Sequence, residues 1–399
     1  MALPPIFKDS RLGVLCAGNF VIGTSMYIIA GLLNELAAAF QVSIAQAGFL
    51  IAAFAITCVI AAPVFATLSA RVDRRLLLTV MLLICAVANG LAFFAQTYEQ
   101  LLATRLLAAI SSAVFTPQAA AILGLLVCPP QRTQATSMIM LGWSLAAVFG
   151  VPLGVWIGNA AGWRVAMGVI GLANLLAAIA LWRVLPQGLF VPAINLRSWL
   201  TVLRTPALLL VLASSMIYGA GNHAVFSYLA PLILRLRPED PGLLSVILLA
   251  HGVAAVASNI LAVVLMHRLG LEKIVKLWGL IPIFVFIAWP LLADWLIALI
   301  VMQMLWGLGA GAFSGLQQAR LAAVSPALVS ASIALNSSAF YLGQSSGTLL
   351  GGLAWTLFDP RYLPWLGALL LIAAMLLSRK GRHAAKRLRL EGLPVTPDI

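Results

Sequence analysis

The sequence has very little charge for its length. Of its 399 residues only 9% are charged and 63% are apolar, whereas a soluble domain carries roughly 25% charged residues. This scarcity excludes a soluble globular protein, and no stretch is long and polar enough to form a separate soluble domain. The surface of the protein is therefore expected to meet lipid.

Sequence patterns of redox, metal and hydrolytic sites are also missing. The four cysteines, Cys16, Cys58, Cys85 and Cys128, lie in or beside apolar runs without paired spacing, which indicates packing residues and neither disulfides nor a metal site. There is no Gly-Lys-Ser loop to hold phosphates, and no acid stands near serine and histidine to complete a triad. We expect no cofactor, no metal and no enzymatic activity.

Basic residues lie in short clusters between the apolar runs. Examples are "ARVDRR", residues 70–75, and "SRKGRHAAKRLR" near the C-terminus. This positive-inside pattern marks cytoplasmic loops and predicts that both termini are cytoplasmic. Nucleic-acid binding is not expected despite the net charge of +13, because no soluble domain would carry it. The Lys and Arg residues that fall outside cytoplasmic segments are Arg105, Arg164, Arg235, Arg237, Arg320 and Arg361.

Twelve apolar runs are long enough to cross a bilayer, which takes about 20 residues. The first run continues without a small-residue cleavage site, so we expect a retained span and not a removed signal peptide. The predicted spans are 12–33, 46–69, 76–95, 101–125, 136–158, 163–184, 206–232, 242–266, 274–292, 295–318, 328–357 and 363–377.

The spans form two sets of six. Residues 1–185 are predicted to be one helical bundle, 186–205 a cytoplasmic linker with prolines and arginines, and 206–399 a second bundle with a basic cytoplasmic tail. A weak internal repeat supports the division, since "ATSMIMLGWS" from Ala135 aligns with "ASIALNSSAF" from Ala331. Two related bundles are a known transporter plan. We expect a monomer.

The fifth span, "LGWSLAAVFGVPLGVWIG", carries a small residue at every fourth position and a proline in its interior. Such a stripe lets a neighbouring helix backbone approach closely. Pro152 cannot donate to the Val148 carbonyl, and a bend is expected there. The stripe is formed by Gly142, Ala146, Gly150, Gly154 and Gly158.

"GVPLG" in this span resembles the antiporter motif of the major facilitator superfamily, in its twelve-helix drug/proton antiporter branch. "GTSMYIIAGLLNELA", "ATRLLAA" and "WGLGAGAFSGLQQARL" are similar to the first, fourth and tenth helices of that branch, and the arabinose-efflux-permease-like and sugar-efflux proteins look most alike. The resemblance covers nearly the whole chain. It implies a bacterial inner-membrane transporter, and it implies that Gly142, Gly150, Pro152, Gly154 and Gly158 seal the interface between the bundles.

Two motifs depart from the branch. Met26 stands where a glutamate commonly takes up protons, and the loop after the second span keeps Arg71, Arg74 and Arg75 but has Asp73 at a glycine position. All eleven acids lie at span ends or in loops. Membrane topology is unaffected, but the usual route for proton coupling is missing.

Polar groups inside spans are therefore the candidates for function. Arg105 could take part in coupling or hold an anionic substrate group, or it could snorkel. His223 and His251 could carry protons, although hydrogen-bonded structural histidines are as good an interpretation. The candidates for the substrate cavity, each also explicable by ordinary interhelical hydrogen bonds, are Met26, Tyr27, Arg105, Gln118, Tyr218, Asn222, Phe226, Gln317, Asn336, Tyr341 and Gln344.

The predicted function is export of a small organic solute (drug-like, sugar or metabolite) by alternating access with proton coupling. Two alternatives stay open. One is a proton-independent uniporter or importer, and the other is a transport-inactive receptor or scaffold, which the missing acids favour and the intact fifth-helix motif opposes.

Overall fold

The computed structural model describes residues 9–128, 131–191, 196–238, 240 and 242–390, and these are almost entirely helical. The chain divides into two compact units. One consists of Met1–Ala193 with Glu239–Leu249, and the other of Ile194–Pro238 with Ala250–Ile399. The predicted boundaries at 185 and 206 remain a prediction.

The first unit contains nine helices of the described residues. They are α1 (Ser10–Gly31), α2 (Leu33–Phe40), α3 (Ile44–Leu68), α4 (Arg74–Phe93), α5 (Tyr98–Ala121), α6 (Leu123–Leu126), α7 (Arg132–Leu145), α8 (Val151–Ala161) and α9 (Trp163–Val184). A π-helical turn, Ala146–Gly150, joins α7 to α8. Helix starts are capped where polar residues allow it, as at Thr97, whose side chain and Gln100 form a capping box for α5.

The remaining helices follow in the second half of the chain. They are α10 (Leu196–Arg204), α11 (Pro206–Phe226), α12 (Leu229–Leu236), α13 (Leu243–Leu269), α14 (Leu271–Leu292), α15 (Leu296–Gly311), α16 (Phe313–Val324), α17 (Val329–Leu357) and α18 (Leu363–Leu390). Helix α10 lies inside the predicted linker, where the sequence analysis predicted no helix. Helix α18 continues well past the predicted end at 377.

Eleven helical segments of the described residues are long and apolar enough to cross a bilayer. Their outward faces carry large apolar side chains, such as Ile297 at 80% and Leu291 at 73% exposure, as expected of a surface that lipid covers. The predicted span 328–357 corresponds to α17, a 29-residue helix that is not among the eleven. Its serine, asparagine, glutamine and glycine residues lower its hydropathy.

The predicted bend at Pro152 takes the form of the π-helical turn just before it. The backbone N–H of Val151 donates to the Ala146 carbonyl, five residues back. A π turn absorbs the irregular hydrogen bonding that a proline imposes on the preceding turn. The sequence therefore predicted the place of the irregularity correctly but gave it the form of a simple bend.

The glycine stripe of the fifth span packs against α1. A Cβ added at Gly142 would meet the Cys16 carbonyl and the backbone nitrogen of Phe20, and one at Gly150 would meet Thr24. Gly154 and Gly158 face Ile28 and Leu32 in the same way. The contact that the structure gives to the stripe is thus with a helix of the same unit, and the interface between the bundles implied by the resemblance remains a prediction.

The second unit repeats this arrangement. Gly343, Gly347 and Gly351 of α17 face the backbone of α11, with the Ala220 carbonyl next to Gly347 and the Ala224 carbonyl next to Gly351. The sequence analysis did not single out this stripe. Because α11 provides the first membrane span of the second unit as α1 provides that of the first, the two contacts follow the internal repeat seen in the sequence.

Replacing Gly142 by alanine should destabilise the protein, because the new Cβ would meet backbone atoms of α1 that cannot move independently. We expect Gly142→Ala to cost about 1–3 kcal/mol. Gly90, in α4, is the matched control: a Cβ there meets nothing within 4 Å, so Gly90→Ala should be neutral or stabilise by up to about 1 kcal/mol. Thermal unfolding of the purified protein in detergent measures both, and equal shifts would contradict the assignment.

Candidate functional site

A cluster of two histidines, three aromatic residues and an amide lies within the second unit. It draws on four helices that are far apart in sequence, α11, α13, α15 and α17. We call it the histidine–aromatic cluster, and its members are Asn222, His223, Phe226, His251, Trp306 and Phe340.

Trp306 is the centre of this cluster. Its indole N–H donates to Asn222 Oδ1 at 2.7 Å, and its ring stands edge-on to His251, with centroids 5.0 Å apart. Asn222 is oriented from the other side, since its Nδ2 donates to the Tyr218 carbonyl at 3.0 Å. Gly307, next in the chain, allows α15 to approach the backbone of His251 closely. The Trp306–His251 contact therefore follows from close helix packing.

Phe226 lies between the two histidines. Its ring centroid is 6.2 Å from that of His223 and 5.7 Å from that of His251. His223 also meets the Phe340 ring edge-on at 5.5 Å, and its Nδ1 bonds the Gly219 carbonyl one turn back at 3.0 Å. The two histidines predicted from the sequence are thus brought into one cluster, with an aromatic ring between them.

Several buried polar atoms on the helices that form the cluster have no hydrogen-bond partner among the described residues. Both atoms of the Gln303 amide are of this kind, and so is Nδ1 of His251, although the two side chains are close enough to interact. On α17 the Asn336 amide and Oε1 of Gln344 are also unpartnered. An unsatisfied buried polar atom costs about 1–3 kcal/mol, so these groups are suited to a ligand that brings hydrogen-bonding atoms.

Two predicted cavity residues have other contacts. Tyr218 stacks on Phe313 with ring centroids 3.5 Å apart and donates to the Gly309 carbonyl at 3.1 Å. Gln317 accepts from Arg320 at 3.0 Å and donates to Ser214 at 3.2 Å. Both side chains are fully buried and their polar groups are satisfied by these contacts, and their place in a substrate cavity remains a prediction. Tyr341, on α17, is half-buried.

In the first unit Arg105 is fully buried among neutral groups. Its guanidinium donates to Asn89 Oδ1 at 2.9 Å and to the Ser25 carbonyl at 3.3 Å. Asn89 in turn donates to Ser25 Oγ at 2.9 Å. No carboxylate of the described residues forms an ion pair with Arg105. The arginine therefore joins α1, α4 and α5 as a buried cation, and it does not snorkel.

The other candidates in the first unit are Met26, Tyr27 and Gln118. Met26 is buried, and Tyr27 meets Trp143 edge-on at 5.9 Å. Trp143 donates to Thr116 at 3.1 Å, while Oε1 of Gln118 is buried without a partner among the described residues. The structure thus gives this unit a second polar group, centred on Thr116, that the sequence did not indicate.

The charged loop after α3 binds the segment that follows α9. Asp73 accepts from the backbone N–H of Arg75 at 2.7 Å and from that of Gly188 at 2.5 Å. Arg74 is buried and donates to the Val191 carbonyl at 3.2 Å, and the Arg75 guanidinium lies 4.2 Å above the Trp182 ring. Arg71 ends a short 3-10 turn in the same loop. These contacts hold the loop against the end of α9 and the segment that follows it, within the first unit.

Glu35 is an acid with an unusual environment. It lies on α2, between the first two membrane spans, and is partly buried, with one carboxylate oxygen that has no partner among the described residues. Burial raises the pKa of Glu35 above its ordinary value. A carboxyl group of this kind takes up and releases protons closer to neutral pH than an exposed one.

Comparison with known proteins agrees with this architecture. The sequence profile of the Major Facilitator Superfamily matches residues 15–249. Two uncharacterised MFS-type transporters of Bacillus subtilis (strain 168) are similar: YbcL is 26% identical over 92% of this chain and 94% of its own length, and YtbD is 28% identical over 94% and 96%. A probable sugar efflux transporter of Helicobacter pylori (strain HPAG1) is 26% identical over 92% and 94%.

A solved structure also has the same fold. A bacterial homolog of the human lysosomal transporter Spinster superimposes with a TM-score of 0.73, at 16% identity, over 97% of this chain and 98% of that one. The predicted resemblance and the predicted all-α membrane fold are thereby confirmed. Because the family profile matches more than half of the sequence, the chain belongs to the Major Facilitator Superfamily of multi-pass membrane transporters.

Proposed function

We propose that this protein is a secondary active transporter that exports a small organic solute across a bacterial cytoplasmic membrane by alternating access, coupled to protons. The observation that carries the proposal is the histidine–aromatic cluster, in which buried rings adjoin amide and imidazole atoms without partners among the described residues. The name of the Helicobacter pylori relative, a probable sugar efflux transporter, supports the direction of transport.

The cluster suits a solute with an apolar face and a few hydrogen-bonding groups. Binding sites for small molecules are mainly apolar and aromatic, with a few polar groups that fix orientation. Trp306 and Phe226 supply the aromatic surface, and Gln303, His251 and Asn336 supply donors and acceptors. Drug-like compounds, sugars and other metabolites with these features are the candidate substrates.

Transport into inverted membrane vesicles tests the proposal. Export from the cell corresponds to uptake by inverted vesicles. A radiolabelled substrate is first found by screening sugars and drug-like compounds. We expect it to accumulate when the vesicle interior is more acidic than the medium. Collapse of the gradient with a protonophore should abolish accumulation above equilibrium.

The two alternatives give different results in the same vesicles. A uniporter would equilibrate the substrate at the same rate with or without the gradient. A transport-inactive receptor would bind the substrate in detergent but move none of it. Either result would overturn the proposed export.

The histidines are the proposed proton carriers. Histidine is the side chain whose ordinary titration lies nearest to neutral pH, and no acid of the described residues belongs to the cluster. We expect His223→Gln or His251→Gln to abolish gradient-driven accumulation while substrate affinity in detergent changes less than about three-fold, since glutamine preserves a hydrogen-bonding side chain. Transport and binding are measured in parallel.

His383, exposed on α18, is the matched control, and His383→Gln should transport as the wild type does. If both cluster variants still concentrate the substrate at wild-type rates, histidine coupling is wrong. Glu35 is then the second candidate, because its raised pKa and unpartnered oxygen suit proton exchange, and Glu35→Gln would be the deciding variant.

We propose that both termini are cytoplasmic, as the distribution of basic residues predicts. In a background with exposed Cys128 replaced by serine, a membrane-impermeant thiol reagent should label Pro238→Cys in intact cells. It should label Arg197→Cys only after the cells are opened. Both positions are exposed, so the reverse result would contradict the orientation.

A further inference from the structure

The two ends of the second unit differ in how their basic residues are neutralised. At the end where α18 begins, Arg361 pairs with Asp294 at 2.5 Å and Arg235 lies 3.6 Å from Asp359. Arg237 donates to the Asp294 carbonyl nearby. The positive charges of this end are therefore satisfied within the protein.

At the opposite end the exposed basic residues have no acid partner in the part of the chain that the structure describes. The last turns of α18 carry Arg379, Lys380, Arg382 and Lys386 on the surface, and none of them forms an ion pair with any described residue. Among the described residues, Glu272 at the start of α14 lies at this end, and it is paired with the buried Arg320 at 2.9 Å. Arg382 lies close enough to Arg320 to feel its repulsion. The exposed positive charges of this end are therefore not neutralised by any acid of the described residues.

The length of α18 allows these residues to reach the lipid headgroups. Helix α18 has 28 residues, about 42 Å at 1.5 Å per residue, whereas the hydrocarbon core is about 30 Å thick. A helix that enters the hydrocarbon near Leu363 leaves it after about 20 residues. It leaves the hydrocarbon at about residue 383, so Lys386 meets the headgroup layer, while Arg379 and Arg382, in the last turns before that point, reach the headgroups with their long side chains.

Helix α10 adds an amphipathic surface at the same end. Trp199 and Val202 pack into the core of the second unit, while Leu200 and Leu203 are 53% and 44% exposed and Arg204 is exposed beside them. A helix with outward leucines and arginine is suited to lie in the membrane interface.

The extension of α18 and helix α10 both lie beside the first turns of α11. Gly381 of α18 faces Leu210 and Val211. A Cβ added at Gly381 would lie 3.3 Å from the Cβ of Leu210. Helix α10 ends just before α11 begins at Pro206. Both elements therefore lie within about two helical turns of each other along α11.

We propose that the basic turns of α18 and the outer face of α10 form a binding surface for the headgroups of anionic phospholipids. Clustered Lys and Arg immediately beyond a membrane helix attract acidic lipids by about 1 kcal/mol each. The exposed leucines of α10 favour a lipid over a nucleic acid or an acidic peptide, because only a lipid offers hydrocarbon next to its negative charge. The proposal is independent of the transported substrate.

The test compares the full-length protein in nanodiscs of phosphatidylcholine with and without phosphatidylglycerol. Native mass spectrometry of the released protein counts the lipids retained. We expect phosphatidylglycerol to be retained preferentially by the wild type, and Arg379→Gln/Arg382→Gln to reduce that preference by at least about ten-fold. Salt near 1 M should weaken it, since the Debye length falls to about 3 Å.

Two variants control for folding and for charge alone. Arg379→Lys/Arg382→Lys keeps the charge and should retain phosphatidylglycerol. Arg235→Gln/Arg237→Gln removes the same charge from the other end and should leave lipid preference unchanged. Equal loss in the two glutamine variants, or no preference in the wild type, would overturn the proposal.

Discussion

Close approach of helix backbones at glycine is the contact on which each unit depends. Lipid chains are as apolar as leucine, so helices in a bilayer gain little from the hydrophobic effect and associate through tight packing and polar contacts. In the first unit α1 receives the glycines of α7 and α8, and in the second α11 receives those of α17. The same solution used twice explains why a weak sequence repeat corresponds to a clear repeat of contacts.

The candidate site follows from this packing. Gly307 brings α15 against the backbone of His251, so that the neighbouring Trp306 faces the histidine ring. The glycines of α17 bring that helix to α11, and Phe340 then meets His223. Side chains with functional chemistry therefore stand next to the glycine contacts, where their positions are firmly fixed.

The spans and the candidate histidines could be predicted from the sequence, whereas their partners could not. Hydropathy defines a span because lipid favours apolar residues along the whole length of the helix. Even the more polar α17 was predicted, because charged or turn residues mark both of its ends. Trp306, Gln303 and Asn89 were missed because one aromatic or amide residue in an apolar helix looks like any other. Their importance depends on contacts such as Trp306 with Asn222, which join distant parts of the chain.

Contacts between distant parts of the chain also decide the surroundings of the predicted residues, and the sequence could not predict them. Tyr218 shares its span with Asn222 and His223, and only the structure shows that its ring stacks on Phe313. The proline of the fifth span could be located but not its consequence, because a bend and a π turn both free the Val148 carbonyl. Local irregularity can be read from a sequence, but the geometry that resolves it depends on the neighbouring helix.

The two units carry opposite kinds of polar chemistry. The first holds a permanent buried cation, Arg105, whose partners are all neutral. The second holds two histidines among rings and unpartnered amides. A guanidinium keeps its proton under all physiological conditions, so Arg105 can attract or repel charge but cannot relay protons. Proton exchange, where it occurs, must therefore use a group that titrates. The histidines and Glu35 are the groups proposed for this role.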